Sequence, residues 1–196
     1  MNLKNRIQNI DIFQIIRALA GKHNIETYVI GGFVRDLIIG RNSKQDIDIV
    51  CLGSGIHLAE ILKKYLGDSA SLAIYNQFGT ACVKYQKLEI EFVGARKESY
   101  RSESRKPIVE EGTLEEDQNR RDFTINALAI SLNEKDFGEL TDPFDGIIDA
   151  NKKSIKTPLD PNETFSDDPL RMLRAIRFAS QLNFDIDSSI NNTLYG

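Results

Sequence analysis

The sequence is poor in the residues that build disulfide frameworks and zinc sites. Its 196 residues include only two cysteines, Cys51 and Cys82, and two histidines, His23 and His57. Both cysteines lie in apolar, strand-like segments, which indicates buried thiols in a reducing compartment and not a framework of disulfides. Zinc in proteins is bound mainly by cysteine and histidine, so any metal in this chain is expected to be a hard cation held by carboxylates.

Long apolar runs are missing as well. No segment approaches the roughly 20 apolar residues of a transmembrane helix. The first residues, MNLKNRIQNIDIFQ, also lack the unbroken apolar core of a signal peptide. The sequence therefore predicts a cytoplasmic protein without a membrane partner.

The chain carries no excess of positive charge. Its net charge of -4 argues against a uniformly basic nucleic-acid-binding surface. The basic residues are nevertheless clustered, at 96–97, 101, 105–106 and 120–121 and at Arg171, Arg174 and Arg177. These clusters are either solvated surface charge or a local positive face within an acidic protein.

Apolar periodicity predicts alternating helices and strands. Helices are predicted at residues 3–20, 33–39, 56–66, 121–128 and about 168–182, the first of them ending at Gly21. Strands are predicted at 27–30, 46–52, 80–85, 88–94 and 129–132, with 80–85 and 88–94 forming a hairpin. The polar segment 97–118 is predicted to be a mobile loop, and 142–156 to be rich in turns. The order favours an α+β fold with a mixed sheet packed against helices.

Two aspartates one residue apart suggest a metal site. Asp46 and Asp48 fall on one face of a predicted strand, because alternate residues of a strand point the same way. Carboxylates so placed can bind two divalent cations for phosphoryl transfer. A third carboxylate is expected from the neighbouring strand, where Glu89 and Glu91 point away from the apolar residues. The alternative is an edge strand whose aspartates face water.

A double glycine lies between a predicted strand and a predicted helix. Gly31 and Gly32 can let backbone N–H groups approach phosphate oxygens at the start of the helix. Arg35, about one turn into that helix, can neutralise a triphosphate. The alternative is an ordinary tight turn between a strand and a helix.

Five segments in order resemble one known family. GGFVRDLIIG and the D-I-D strand, typical of polymerase-β-like nucleotidyltransferases, are followed by RRDFTINALAI (120–130), DPFDGIIDANKKSIK (142–156) and DDPLRMLRAIRFA (167–179). Together they are similar to the class II tRNA nucleotidyltransferase and bacterial poly(A) polymerase family, over nearly the whole chain from Tyr28 to Leu182. The family has arginine where Lys156 stands and glutamate where Asp167 stands.

The resemblance implies a role for each matching residue. Asp46, Asp48 and Glu91 would bind two Mg2+ ions, and Gly32 and Arg35, with Gly31, would hold the triphosphate. Arg121 would lie near the phosphates and Asp122 at the ribose. Asp168 and Arg171 would present hydrogen-bonding groups to the base of CTP or ATP.

The two arginine-rich motifs also have structural interpretations. RRDFTINALAI could be a helix that buries Phe123, Ile125 and Leu128, with its charged triplet forming surface ion pairs. In the last helix, Ser166, Asp167 or Asp168 could cap the N-terminus ahead of Pro169. On that interpretation Leu170, Leu173, Ile176 and Phe178 would form the buried side of the helix. Arg171, Arg174 and Arg177, three apart, then form one flank, which favours an anionic ligand.

The resemblance implies a template-independent RNA nucleotidyltransferase that adds CCA to tRNA 3′ ends. Poly(A) addition, a CC- or A-adding specialist, and an inactive nucleotide- or RNA-binding module remain alternatives. The fold implied is a polymerase-β-like head with a mixed, largely antiparallel sheet at residues 1–150, followed by the start of a helical neck at 151–196. The tail lacks a packed ending, so we expect a longer protein whose body and tail lie beyond residue 196. Its oligomeric state is not predicted.

Overall fold

The computed structural model contains a seven-stranded sheet with helices packed against it. It describes residues 1–41, 46–101 and 104–195. At 98–101, 104–109 and 192–195 it describes the backbone alone. The helices are α1 (Lys4–Ile7), α2 (Asp11–Lys22), α3 (Gly32–Ile38), α4 (Gly55–Leu66), α5 (Leu114–Asn119), α6 (Gly146–Lys152), α7 (Pro161–Asp167), α8 (Leu170–Leu182) and α9 (Ser188–Tyr195). The strands are β1 (Glu26–Ile30), β2 (Asp46–Leu52), β3 (Ala70–Tyr75), β4 (Thr80–Tyr85), β5 (Leu88–Gly94), β6 (Arg96–Arg101), β7 (Ser104–Glu111), β8 (Ala129–Ser131), β9 (Leu140–Thr141), β10 (Ser154–Ile155) and β11 (Asp185–Ile186).

The strand order in the main sheet is β3-β4-β5-β2-β1-β8-β9. Only β2 and β5 run parallel, and the other neighbours are antiparallel. The predicted α+β fold with a mixed, largely antiparallel sheet is confirmed, as are the predicted strand at 46–52 and the hairpin of β4 and β5. Strand β3, which forms one edge of the sheet, was not predicted.

The two faces of the sheet have different roles. On one face, Ile47 and Ile49 of β2 join Phe92 of β5 in a core built with Phe13 of α2 and Leu58 of α4. All five are at most 2% exposed. The alternate residues of β2 point to the opposite face, which is where the aspartates lie. Burial of one face thus directs the polar residues of β2 to the other.

A second apolar cluster lies toward the C-terminal part of the chain. Phe123 and Ile125, from the segment after α5, pack with Phe165 of α7, Phe178 of α8 and Ile190 of α9. The tail predicted to lack a packed ending therefore contributes a fully buried residue from α9. A domain boundary at residue 150 stays a prediction, as does a helical neck. The short parallel strands β10 and β11 lie among the helices of this C-terminal part.

The N-terminal helix differs from its prediction. The segment predicted as one helix forms α1 and α2, separated around Ile10, which is the N-cap of α2. Gly21 lies inside α2 and does not end it. The left-handed residue that follows the helix is Asn24, with φ of 53°. Asparagine here takes the place that glycine often has after a helix.

The prediction of a mobile loop at 97–118 is wrong for the described part of that segment. Strands β6 and β7 form an antiparallel hairpin, in which Arg96 pairs with Glu111. A capping box of Thr113 and Glu116 starts α5, the helix that follows. Backbone pairing needs no apolar periodicity, so the charged hairpin gave no hydrophobic signal, whereas T-x-x-E at 113–116 was a signal that could have been used.

The helix predicted at 121–128 is also wrong, since only a 3-10 turn, Thr124–Asn126, forms there. Phe123, Ile125 and Leu128 are buried as expected, but Leu128 belongs to the main core and the other two to the second cluster. One helical face cannot serve two cores on different sides. The turn-rich segment 142–156 contains α6, a further difference from the prediction.

Helix α8 is confirmed, but the prediction of its buried side is wrong. Leu170 and Leu173 are each 65% exposed and Ile176 is 54% exposed, whereas Phe178 is buried. Ala175 and Leu182 are the other buried residues of the helix. Among the described residues, no helix is both long and apolar enough to cross a membrane.

Candidate active site

The central carboxylates are brought together by the parallel pairing of β2 and β5. Asp48 lies opposite Glu91, and Asp46 lies opposite Glu89. Neighbouring strands are about 4.8 Å apart, so all four residues share a small area of one sheet face. Lys84 pairs with Glu89 at 2.6 Å and compensates its charge. Glu91, which the resemblance selects, is the carboxylate directly beside Asp48.

The local electrostatics disfavour negative charge at this cluster. Burial raises the pKa of Asp48; the Arg121 charge lowers it and the Asp46 charge raises it again. Burial and the neighbouring Asp48 charge likewise raise the pKa of Glu91. A divalent cation would remove this penalty, and carboxylate oxygens are the ligands that Mg2+ prefers. The residues therefore fit such an ion, although no three His, Cys, Asp or Glu side chains in the described ranges are grouped as a complete metal site.

The double glycine lies at the rim of the same cluster. Gly31 is the N-cap of α3, with φ of 78° and ψ of −137°, a conformation that L side chains rarely adopt. A Cβ added at Gly31 would lie 3.0 Å from Asp48 Oδ2 and 3.6 Å from Arg121 Nη1. Gly31 therefore lets the backbone approach both a carboxylate and a guanidinium. The phosphate-binding role of Gly31 and Gly32 stays a prediction.

A cavity of about 330 Å3 opens between this rim and α8. Of the twelve predicted site residues, those that line it are Gly31, Gly32, Arg35, Asp46, Asp48, Arg121, Asp122, Arg174 and Arg177. Glu91, Asp168 and Arg171 do not line it. The cavity thus joins acidic residues from the sheet with basic residues from α8 and from the segment after α5.

Arg35 is more enclosed than expected for a phosphate-binding residue. It is only 4% exposed, and its Nε and Nη2 both lie 2.9 Å from Asp36 Oδ1. Its Nη1 donates to Asn126 Oδ1 at 2.8 Å. Its positive charge is therefore compensated within the protein. Neither Asp36 nor Asn126 was predicted as a site residue, although they lie in the motifs GGFVRDLIIG and RRDFTINALAI.

Asp122 is held from both sides. Arg174 donates to its Oδ2 from Nε at 2.7 Å and from Nη2 at 2.6 Å. Its Oδ1 accepts from Asn126 Nδ2 and from the backbone N–H of Phe123. A carboxylate offers about four acceptor positions, so Asp122 retains capacity for a further donor. The anionic group opposite Arg174 is thus a side chain of the protein itself, while Arg177 lies over the ring of Phe178.

The two residues predicted to address the base lie apart from the main cavity. Asp168 Oδ1 accepts from the N–H of Leu170 at 3.0 Å, so it satisfies a backbone donor at the start of α8, whose N-cap is Pro169. Arg171 donates from Nη2 to the carbonyl of Arg120 at 2.8 Å. Arg171 and Arg120 line a second cavity, also of about 330 Å3. Base recognition by Asp168 and Arg171 stays a prediction.

The structure does not describe the side chains of three basic residues from the predicted clusters, Arg101, Arg105 and Lys106. A local positive face that includes them is therefore still a prediction. Lys97, at the base of the same hairpin, pairs with Glu116 of α5 at 3.3 Å.

The comparison with protein families agrees with this fold. The model of the poly A polymerase head domain matches residues 27–156. The chain belongs to this family.

Similar proteins are tRNA nucleotidyltransferases. The A-adding tRNA nucleotidyltransferase of Aquifex aeolicus is 43% identical over 170 residues, which cover 87% of this chain and 20% of that protein. The solved apo form II of a CCA-adding enzyme aligns with a TM-score of 0.86 and 37% identity, covering 98% of this chain and 46% of the other. A tRNA nucleotidyltransferase complexed with a primer tRNA and an incoming ATP analogue aligns with a TM-score of 0.77 and 40% identity, covering 90% and 48%. The chain thus spans a fifth to a half of the lengths of these proteins.

Proposed function

We propose that the protein containing this chain transfers nucleotides from nucleoside triphosphates to the 3′ end of tRNA. The observation that carries the proposal is the parallel register that puts Glu91 beside Asp48, on the sheet face that also bears Asp46. This face opens into a cavity bordered by Gly31 and Arg121. The names of the relatives support the choice of tRNA as acceptor.

The reaction is attack by the RNA 3′-hydroxyl on the α-phosphorus of the triphosphate, with release of pyrophosphate. Asp46, Asp48 and Glu91 would hold two Mg2+ ions, which supply a lower pKa for the attacking hydroxyl and charge stabilisation for the leaving pyrophosphate. Arg121 offers a fixed positive charge to the phosphates beside Gly31. Catalysis of this kind depends mainly on positioning and charge neutralisation.

Asp122 is suited to the ribose. Its oxygens are fixed by Arg174 and Asn126, and a ribose hydroxyl can donate to a remaining acceptor position. Asp168 and Arg171 are the proposed base-recognising pair, because carboxylate and guanidinium groups offer opposite hydrogen-bond patterns to C or A. Arg171 would have to exchange its bond to the Arg120 carbonyl for one to the base.

The nucleotides added are the finer part of the proposal. We propose CCA addition from CTP and ATP. Addition of A alone is the second candidate, favoured by the 43% identity to an A-adding enzyme. Poly(A) addition and an inactive RNA- or nucleotide-binding module are the other outcomes to test.

The test uses the full-length protein with tRNA transcripts ending before CCA, after CC, or after CCA. We expect CTP and ATP together to extend the first transcript by three nucleotides and ATP alone to extend the second by one. Extension of the second transcript only indicates the A-adding specialist, and extension without limit by ATP indicates a poly(A) polymerase. Triphosphate binding without any transfer would overturn the proposed activity.

A further inference from the structure

A buried carboxylate outside the predicted site binds both arginines of the RRDFTINALAI motif. Asp117 of α5 is 0% exposed. Its Oδ1 accepts from Arg120 Nε at 3.0 Å and Nη2 at 2.6 Å. Its Oδ2 accepts from Arg121 Nε at 3.2 Å and Nη2 at 3.1 Å. Asp117 thus uses both oxygens to fix two neighbouring guanidinium groups.

The helix that carries Asp117 is itself firmly placed. The capping box of Thr113 and Glu116 satisfies its first backbone groups. Gln118, also fully buried, donates from Nε2 to the carbonyls of Ala127 at 2.6 Å and Thr141 at 3.3 Å. Asp117 is therefore presented from a helix held by its cap and by Gln118, and such support is what accurate positioning of a long side chain requires.

The geometry leaves one edge of Arg121 for the cavity. Its Nε and Nη2 are committed to Asp117, while its Nη1 lies 3.6 Å from the Cβ position of Gly31, beside Asp48. The Arg121 charge also lowers the pKa of Asp48 against the effect of burial. A free arginine side chain would lose about 2 kcal/mol of rotamer entropy on binding a phosphate, and prior fixation removes most of that cost.

Asp117 keeps its negative charge in this cluster. Burial alone would raise the pKa of Asp117, but the charges and hydrogen bonds of Arg121 and Arg120 lower it overall. Asp117 is therefore ionised at neutral pH and pairs with both arginines.

We propose that Asp117 is a positioning residue for the nucleoside triphosphate, which acts by aiming Nη1 of Arg121 at the phosphates beside Gly31 and Asp48. The inference rests on the proposed function. The role proposed for Arg121 differs from that of Arg35, whose guanidinium is enclosed by Asp36 and Asn126.

The variant that tests this role is Asp117→Asn, which keeps the shape and removes the charge. The full-length protein is assayed by steady-state transfer of AMP from ATP to tRNA and by calorimetric binding of ATP with Mg2+. We expect KM for ATP and the dissociation constant to rise by about 10- to 100-fold, the range for loss of a residue that orients a ligand-binding group. An unchanged KM together with an unchanged dissociation constant for ATP would overturn the role, whatever happens to kcat.

Two further variants separate positioning from stability. Asp149→Asn removes another buried carboxylate, which accepts a hydrogen bond of 2.7 Å from Thr124 Oγ1 and does not line the cavity. This variant should leave KM for ATP unchanged. In an Arg121→Ala background, Asp117→Asn should change KM by no more than about twofold, because coupled residues are not additive. Full additivity contradicts action through Arg121. An inactive wild type refutes the proposed function instead, while an active wild type with an unaffected Asp117→Asn variant refutes only this inference.

Discussion

The two sides of the cavity compensate their charges in different ways. On the sheet side, neither Asp48 nor Glu91 makes an ion pair within the described ranges, and burial raises the pKa of both. On the other side, Arg121 is paired with Asp117 and Arg174 with Asp122. The carboxylate side is left to be completed by a cation, whereas the arginine side is already held in place.

This difference shows why charge in the sequence does not by itself identify ligand-binding residues. Arg35, Arg121 and Arg174 all line the cavity, but each has an acidic partner of its own. What separates them is the donor that remains available after pairing. Arg121 keeps Nη1 beside Gly31, while Arg35 has all three of its nitrogens engaged.

The largest expected effect comes from the carboxylate side. Asp48→Ala should abolish nucleotide transfer while the fold survives, because it removes the central member of the proposed metal-binding trio. Glu89→Ala is the matched control, since Glu89 lies on the same face but is exposed and paired with Lys84. Transfer assays with Mg2+ and circular dichroism measure activity and fold. Substantial turnover by the Asp48 variant would refute the metal assignment.

The arginine side should respond to acid. Because the pKa of Asp117 is lowered in the folded state, its contribution to the free energy of unfolding is complete above the unfolded value of about 3.9 and is lost as pH falls through the folded value. At pH 7, Asp117→Asn should cost toward the lower end of about 3–5 kcal/mol, since the two arginines are partly exposed. Urea unfolding from pH 7 to pH 2 should show the difference shrinking. A constant difference would contradict the ion pairing.

The backbone between the two sides offers a smaller test. Gly31→Ala should lower the free energy of unfolding by about 1–3 kcal/mol because of its backbone conformation, and the added methyl group should also displace Asp48. Gly21→Ala, inside α2 with no atom within 4 Å of its Cβ position, should instead raise it by about 0.5–1 kcal/mol. Thermal denaturation of both variants measures the two changes in stability. Equal changes in the two variants would contradict the prediction.

The smallest effect expected is on the stability of the protein without metal. The raised pKa of Asp48 means that its ionised form opposes folding, and stability from this group increases as pH falls through the folded value. At pH 7 with a chelator, Asp48→Asn should therefore melt at a higher temperature than the wild type. Added Mg2+ should raise the melting temperature of the wild type more than that of the variant. The reverse order would show that Asp48 does not bear an uncompensated charge.

Much of the site could be predicted because it depends on short-range periodicity. Alternation along β2 put Asp46 and Asp48 on one face, and the glycine pair marked the turn into α3. The third carboxylate was harder to predict, since the sequence alone offered both Glu89 and Glu91. The resemblance selected Glu91, and the register puts it beside Asp48.

The segments that sequence analysis described wrongly share a physical cause. The hairpin of β6 and β7 depends on backbone pairing between polar residues, and the 121–128 segment divides its buried side chains between two cores. Leu170 and Leu173 of α8 show that apolar spacing does not say which neighbour covers a face. Asp117 was missed because it lies in the polar segment 97–118, which was predicted to be a mobile loop.

The sequence by itself determined the alternation of β2, the glycine turn and the five motifs, because these depend on residues close together in the chain. Only the tertiary structure decided that Glu91 stands beside Asp48, that Asp117 holds Arg121, and that Arg35 is enclosed. Glu91 and Asp48 come from separate strands, and Asn126, which bonds to Arg35, is distant from it in the chain. Asp117 and Arg121 are only four residues apart, but whether such a pair is buried depends on the fold, and so does the free energy of burying its charges.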